Sequence, residues 1–414
     1  MSAAEIRDSP RSSEELTALL LRTRALVNEV VLPMEDAFGG DIEAAGGDQA
    51  RRSLQAAARE AGVFAPHAPV EFGGLGLDMR SRSKIFQASG YSLFGPLAMN
   101  IQAPDEGNVH LLDRLASDAQ REQYLAPLAS GQVRSSFAMT EPHPGAGADP
   151  RALSTRAERV PGGWRINGSK TFITGATGAA FFIIMARTAG APGDAGGATM
   201  FLSPADAVGI TVGRHLPTID NSMLGGHCEV KFENLFIPDE QVLGEVDAGM
   251  AGIQVRLGPA RVTHAMRWLG AVLRAHDVAV ASVAERRLFG QRLGDLGLAQ
   301  QLIADNELDI AASQGLIEQA CQDLDAGLDA GISTASAKVW VSEAVGRIAD
   351  RAMQLCGGRG MSQDLPLARI WTEVRAFRIY DGPSETHRWS VAKRVLRANL
   401  NGSTPSERFL GPAQ

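Results

Sequence analysis

Cysteine is scarce in this chain. The three present, Cys228, Cys321 and Cys356, are far apart and form no CxxC or Cys/His cluster. That argues against a disulfide framework and a structural zinc site, and it suits a reducing compartment; no metal is expected. Positive charge is also short. Forty basic residues, only five of them lysine, face 47 acidic ones, for a net charge of −7, which gives no footing for nucleic acid. No uncharged apolar run reaches the ~20 residues that cross a bilayer, and residues 1–16 lack the apolar core of a signal peptide. A soluble cytoplasmic protein without a membrane partner is expected. Both common nucleotide fingerprints are missing, the GxxxxGK[ST] loop and a strand-linked GxGxxG, so a nucleotide cofactor would sit outside a Rossmann domain. Otherwise 44% apolar and 21% charged residues are ordinary for a globular protein, and 414 residues allow two or three domains.

The hydrophobic period changes twice along the chain. Residues 1–10 are polar and read as a frayed end. Apolar residues then recur at helical spacing over Glu14–Met34, Gln49–Ala61, Met79–Ser89, Glu106–Leu115 and Gln120–Ala129, the last capped by Ser117-Asp118 and stopped by Gly131. Near Ser135 the period drops to two. Short runs at Ser154–Val160, Trp164–Ile166, Thr171–Thr174, Phe181–Arg187, Thr199–Leu202, Gly209–Val212 and His227–Phe236 read as strands. Pro161-Gly162-Gly163, Asn167-Gly168 and Pro192-Gly193 read as turns, Asn167-Gly168 as a tight hairpin. From Ala248 helical spacing returns over Gly258–Glu285, Leu298–Leu328, Thr334–Leu355 and Ser384–Leu396. The expected fold is α+β: an N-terminal helical domain (1–134), a central β-barrel or sandwich domain (135–245) and a C-terminal four-helix bundle (246–414).

Five stretches could carry chemistry. Arg378 to Arg388 holds Asp381 on a tight connection, because Gly382-Pro383 breaks one helix before Ser384 starts the next. A carboxylate held rigidly there could act as a general base; a turn aspartate bonding its own backbone is the plain alternative. Met139-Thr140-Glu141-Pro142 and Asn167 to Gly175 could meet a flat heterocycle, with Phe172 and Thr174 sharing one face; turn formation and packing explain them as well. Arg286 to Gly290 closes a helix where an arginine could bind a pyrophosphate or merely favour the helix end. Gln354 to Gly360 is a glycine-rich bend that could admit an adenosine or simply end a helix.

Taken together and in this order, the five stretches resemble the acyl-CoA dehydrogenase family of flavoproteins, over about Glu14 to Leu396. Asp381-Gly382-Pro383, with Glu385 and His387 following, resembles the branch that has Asp-Gly-Pro at the catalytic-base position. So do Asn100 to Asp105, Arg256 to Arg261 and Gly360 to Asp364. The resemblance implies FAD as cofactor and Asp381 as catalytic base. Met139 and Thr140 would bond the flavin ring. Phe172 would take the place of a family tryptophan, and Thr174 would reach the N5 region. Arg286 and Phe289 would contact the FAD diphosphate of a neighbouring subunit, with Gln354, Gly357 and Gly358 near its adenosine. Arg261 would line the CoA and acyl cleft, and Gly382 would supply a backbone donor to the thioester carbonyl. Pro383, Glu385 and Gly297 depart from the usual family residues.

The implied reaction is α,β-dehydrogenation of an acyl-CoA thioester, with an electron-transfer flavoprotein as acceptor, in a homodimer or homotetramer. A water-excluding pocket is expected to raise the pKa of Asp381. Two other readings use the same fold: a flavin oxidase of a non-CoA carbon acid, similar to nitroalkane oxidase, and a non-catalytic FAD-binding subunit. His387 reads as a helix-start histidine bonding backbone.

Overall fold

The computed structural model describes residues 11–410, so the reading of residues 1–10 falls outside the described residues. Ser12 opens the first helix with a reciprocal capping box to Glu15. Ser13–Leu26 then continues through one wider turn, Val27–Val31, into Leu32–Ala37. Asp48–Glu60, Met79–Gly90 and Asp105–Leu115 follow, and Ser117 caps the next helix through a second capping box with Gln120. The apolar sides of these helices meet in one core with the later bundle.

Eight strands form a mixed sheet: β1 (Ser135–Ala138), β2 (Arg156–Val160), β3 (Gly163–Thr174), β4 (Phe181–Arg187), β5 (Ala198–Pro204), β6 (Ile210–His215), β7 (His227–Pro238) and β8 (Val242–Leu243). Their order is β6-β7-β3-β2-β4-β5-β8, with β1 parallel to β4. Strand alternation divides the two cores. Phe181, Ile183 and Met185 face the helical core, while Phe182, Ile184 and Ala186 join Trp164, Phe201 and Phe232 on the other side. Pro161-Gly162 does form the β2–β3 turn, between the paired Val160 and Gly163. Asn167-Gly168 does not form a hairpin. β3 runs straight through it; Ile166 pairs with Leu235 and Gly168 with Phe232, so the register shift there puts an extra residue on β7. The Asn167 side chain, free of a turn, accepts the Asn234 N–H at 2.7 Å. The expected strands Trp164–Ile166 and Thr171–Thr174 are therefore one.

The C-terminal helices are Gly249–Glu285, Gly297–Asp325, Gly331–Cys356 and Ser384–Leu400, with Leu367–Arg375 between the last two. The first starts well before the expected Gly258 and carries Pro259 in its interior. An interior proline costs about 3 kcal/mol. The helix tolerates it because every residue from Val262 to Val272 is buried, so packing on all sides holds the helix just beyond the proline.

Candidate active site

Asp381 stands between the 3-10 turn Ala376–Arg378 and helix Ser384–Leu400. Its φ is +54° and that of Gly382 is +94°, so two successive left-handed residues reverse the chain. The Asp381 carbonyl, turned inward, accepts Arg261 Nε–H at 3.1 Å and His387 Nε2–H at 2.9 Å. His387 thus bonds backbone, as its place at the helix start suggests. Glycine is required at 382 on two counts, the positive φ and a would-be Cβ only 2.7 Å from His387 Nε2.

The carboxylate faces the opposite demand. Asp381 Oδ2 is buried and takes no hydrogen bond. His264 Nδ1 is 3.7 Å away but already bonds the Ala260 carbonyl at 2.7 Å. The His264 ring packs against Phe377 and Tyr380, and Tyr380 OH accepts the Trp268 indole N–H. Burial pulls His264 down to about 3, so it is neutral at physiological pH. Lys338 Nζ donates to the Phe377 carbonyl at 2.5 Å, and burial lowers it to about 8.

The expected rise in the Asp381 pKa does not occur. Burial does work to raise the Asp381 carboxyl, but His264, Arg256, Arg261 and Lys338 together outweigh it and hold it below its ordinary value of 3.8. Because His264 is neutral near pH 7, the charges acting there are those of the two arginines and the lysine. Asp381 is therefore an ionised carboxylate, ready to take a proton.

Asp381 opens on a cavity of about 2000 Å³, at least twice the upper size of a usual small-molecule site. Met139, Thr140, Phe172, Thr174, Arg261 and Gly382 line it too, so the structure brings seven of the expected residues together. Phe172 keeps 56% of its surface exposed, and Ile219, Leu328, Ile379 and Trp389 are further exposed apolar residues on the same walls. Phe172 lies in a bulge of β3 between Lys170 and Ile173, where it takes a φ of +55°, and Thr174 follows in regular pairing. Exposed aromatic and aliphatic surface, an unpartnered carboxylate oxygen and room for two large ligands fit a flavin nucleotide beside a second molecule.

A buried ion pair fixes the loop that presents Met139 and Thr140. Lys170 Nζ donates to Glu141 Oε1 at 2.9 Å, to the Met185 carbonyl at 2.7 Å and to the Met139 carbonyl at 3.1 Å. Glu141 also accepts the backbone N–H groups of Ala146, Ser154 and Thr155. Burial would raise its carboxyl, but Lys170 and these donors hold it at about 2. Glu141 and Lys170 are thus framework, and Met139 and Thr140, held next to them, line the cavity.

Five expected residues lie elsewhere. Arg286, Phe289, Gln354, Gly357 and Gly358 do not line this cavity. They gather where helix Gly249–Glu285 ends beside the end of Gly331–Cys356. Arg286 Nη1 donates to the Cys356 carbonyl at 3.4 Å, and a Cβ on Gly357 (φ +60°) would come within 3.0 Å of that nitrogen. Phe289 is 90% exposed. Site residues not singled out from sequence are Arg256, His264, Lys338 and the pair Asp220 and His227. Spacing could have found two of them: 256, 260 and 264 stack on one helix side, the side that meets Asp381. Among the described residues, no His, Cys, Asp or Glu group is arranged to hold a metal.

Models of the acyl-CoA dehydrogenase N-terminal, middle and C-terminal domains match residues 13–132, 136–235 and 247–396. The protein named probable acyl-CoA dehydrogenase FadE2 of Mycobacterium tuberculosis is 36% identical over 78% of this chain and 80% of its own length. The (R)-benzylsuccinyl-CoA dehydrogenase of Thauera aromatica is 32% identical over 84% and 85%. A solved structure from Mycobacterium abscessus, assigned to the acyl-CoA dehydrogenases, superposes with a TM-score of 0.86 at 33% identity, over 94% of this chain and all of that one. With the helix–sheet–helix order, the cavity and these matches in agreement, the chain belongs to the acyl-CoA dehydrogenase family of FAD-dependent oxidoreductases.

Proposed function

We propose that the chain dehydrogenates an acyl-CoA thioester to the trans-2-enoyl-CoA, with Asp381 as the base. The observation that carries this reading is the ionised Asp381 carboxylate on the wall of the cavity, one of its oxygens buried without a hydrogen-bond partner. Bound FAD supplies the two-electron acceptor for the β-hydrogen. The chain supplies the rest. Asp381 takes the α-proton. Arg261 and His387 hold its backbone, so the carboxylate does not swing away. An α-proton beside a thioester is too weakly acidic for a free carboxylate, and donors aimed at the carbonyl oxygen are needed. Pro383 has no N–H, so the backbone donor at this turn is Gly382. Met139, Thr140, Phe172 and Thr174 would hold the flavin ring.

Arg286 and Phe289 would reach the FAD diphosphate of a second copy, with Gln354, Gly357 and Gly358 at its adenosine. The exposure of Phe289 and Gln354 supports that placement. The protein then works as a homodimer or homotetramer, passes electrons to an electron-transfer flavoprotein and serves fatty-acid β-oxidation in the cytoplasm. Asp381-Gly382-Pro383 puts it in the aspartate branch of the family. Anaerobic titration with a panel of acyl-CoAs, following the oxidised flavin band, tests the reading. Bleaching by one acyl class supports it; a flavin-loaded protein that no thioester bleaches overturns it.

A further inference from the structure

Behind Thr174 the cavity wall holds a chain of three side chains that the reaction above does not use. Thr174 and His227 are cross-strand partners on β3 and β7. Thr174 Oγ1 lies 2.9 Å from His227 Nδ1, and His227 Nε2 lies 2.9 Å from Asp220 Oδ2. All three line the cavity, yet the His227 and Asp220 side chains are only 14% and 9% exposed. Burial works to raise the Asp220 carboxyl, but the bond and charge of His227 outweigh it and hold it below the usual range. Asp220 is also held from behind. Glu373 accepts the N–H of Asn221 at 2.6 Å, the N–H of Ser222 at 2.9 Å and the Ser222 hydroxyl at 2.6 Å.

An ionised Asp220 accepts, so His227 Nε2 carries its hydrogen. The state of Nδ1 then decides what Thr174 offers. On a neutral ring Nδ1 is bare, accepts the Thr174 hydroxyl hydrogen and leaves the threonine oxygen as an acceptor towards the cavity. On a protonated ring Nδ1–H donates to Thr174, whose hydroxyl hydrogen is then free to donate into the cavity. N5 of an oxidised flavin is an acceptor, and N5 of a reduced flavin is an N–H donor. We propose that Asp220, His227 and Thr174 are positioning residues that set the hydrogen-bond polarity at the flavin edge. Protonated His227 favours the oxidised ring, and neutral His227 favours the reduced one. The inference rests on the placement of Thr174 beside the flavin given above.

The proton balance follows. Two-electron reduction near neutral pH takes up one proton, at N5. Where His227 is protonated against the oxidised ring and neutral against the reduced one, it releases a proton as the electrons arrive, and net uptake falls towards zero. The potential then changes less with pH inside that window than outside it. Other titratable groups around this chain are Tyr380 and Asp381 across the cavity, His215 bonded to Thr177 on the strand side, and Glu373, which burial, with Asp220 adding to it, pushes up to about 7.

The test is the midpoint potential of bound FAD against pH, by dye-equilibrated titration of the full-length holoenzyme. It compares the native chain with His227→Asn, Thr174→Val, Thr174→Ser and Glu373→Gln. The expected flattening of the slope disappears in His227→Asn and Thr174→Val and persists in Thr174→Ser and Glu373→Gln. If His227→Asn does not retain FAD, Asp220→Asn serves in its place. It moves the window to lower pH, because the carboxylate no longer stabilises the imidazolium. A native slope without flattening overturns the proposal. So does a flattening that survives His227→Asn, or one lost only in Glu373→Gln. If Thr174→Val leaves both the potential and the flavin absorption unchanged at every pH, Thr174 does not meet the flavin, and it is the site reading that fails.

Discussion

Asp381 Oδ2 sits 3.7 Å from His264 Nδ1 without receiving its hydrogen, which goes instead to the Ala260 carbonyl at 2.7 Å. The histidine shields the carboxylate without satisfying it. Asp381→Asn keeps the shape and removes the base. FAD binding is expected to persist, while the rate of flavin reduction by acyl-CoA falls by about 10²–10⁴. Anaerobic stopped-flow spectroscopy measures both. Normal reduction by the variant would sink the assignment of the base.

The charge environment of Asp381 predicts a pH profile. A depressed carboxyl is ionised throughout the neutral range, so kcat/KM of the free enzyme keeps its base-dependent activity as pH falls, losing it only below the ordinary value of 3.8. An acid limb above that value would show that burial, not Arg256, Arg261 and Lys338, sets the group.

Glu141 and Lys170 are paired with almost no exposure, so removing one partner strands a buried charge. Lys170→Met or Glu141→Gln is expected to cost about 3–5 kcal/mol of stability, and the double variant to recover part of it. Glu141 is held down to about 2 against an ordinary 4.5, so its stabilisation is complete above 4.5 and is lost as pH falls towards 2. Urea unfolding across that range measures the loss; a flat profile would remove Glu141 from the framework.

Gly382→Ala puts a methyl carbon 2.7 Å from His387 Nε2 at a φ of +94°. The turn must open, and Asp381 moves with it. Flavin reduction is expected to fall by at least tenfold with FAD still bound. Gly315→Ala, within helix Gly297–Asp325 and with nothing within 4 Å of its Cβ, serves as the tolerated comparison.

Arg286→Ala addresses the second copy. Its side chain makes one long bond, to the Cys356 carbonyl, so the fold is expected to keep its thermal stability without FAD. FAD retention is expected to fall about tenfold, and to become steeper with protein concentration if the diphosphate site spans two chains. Equal retention by native and variant protein would separate Arg286 from the cofactor.

Most of the architecture was legible because period and capping agree. Ser117 starts a helix where the sequence places one, the first helix begins within a residue of the expected Glu14, and period-two runs became strands. The failures have local causes. Asn167-Gly168 carries hairpin chemistry, but pairing on both sides, with β2 and β7, kept β3 continuous and left the irregularity on β7 opposite the pair. The helix expected from Gly258 begins nine residues earlier, at Gly249, because long-range packing carries it through Pro259. Asp381 was found because Gly-Pro marks a turn. The sign of its pKa shift was not, because Arg256 and Lys338 approach it from distant parts of the chain. His227 reads as an alternating strand residue, and only the pairing of β3 with β7 sets it against Thr174.

The cavity draws its walls from all three parts of the chain: Arg82 from the first helices, Thr140 and Phe172 from the sheet, Asp381 from the last turn. No fragment that lacks one of these parts encloses a site. The yellow colour of a bound flavin is therefore a coincidence signal, present only when early, middle and late segments have docked. During refolding it should be the last native property to return, after helical circular dichroism and after burial of the tryptophans. Under gentle denaturation it should be the first to go.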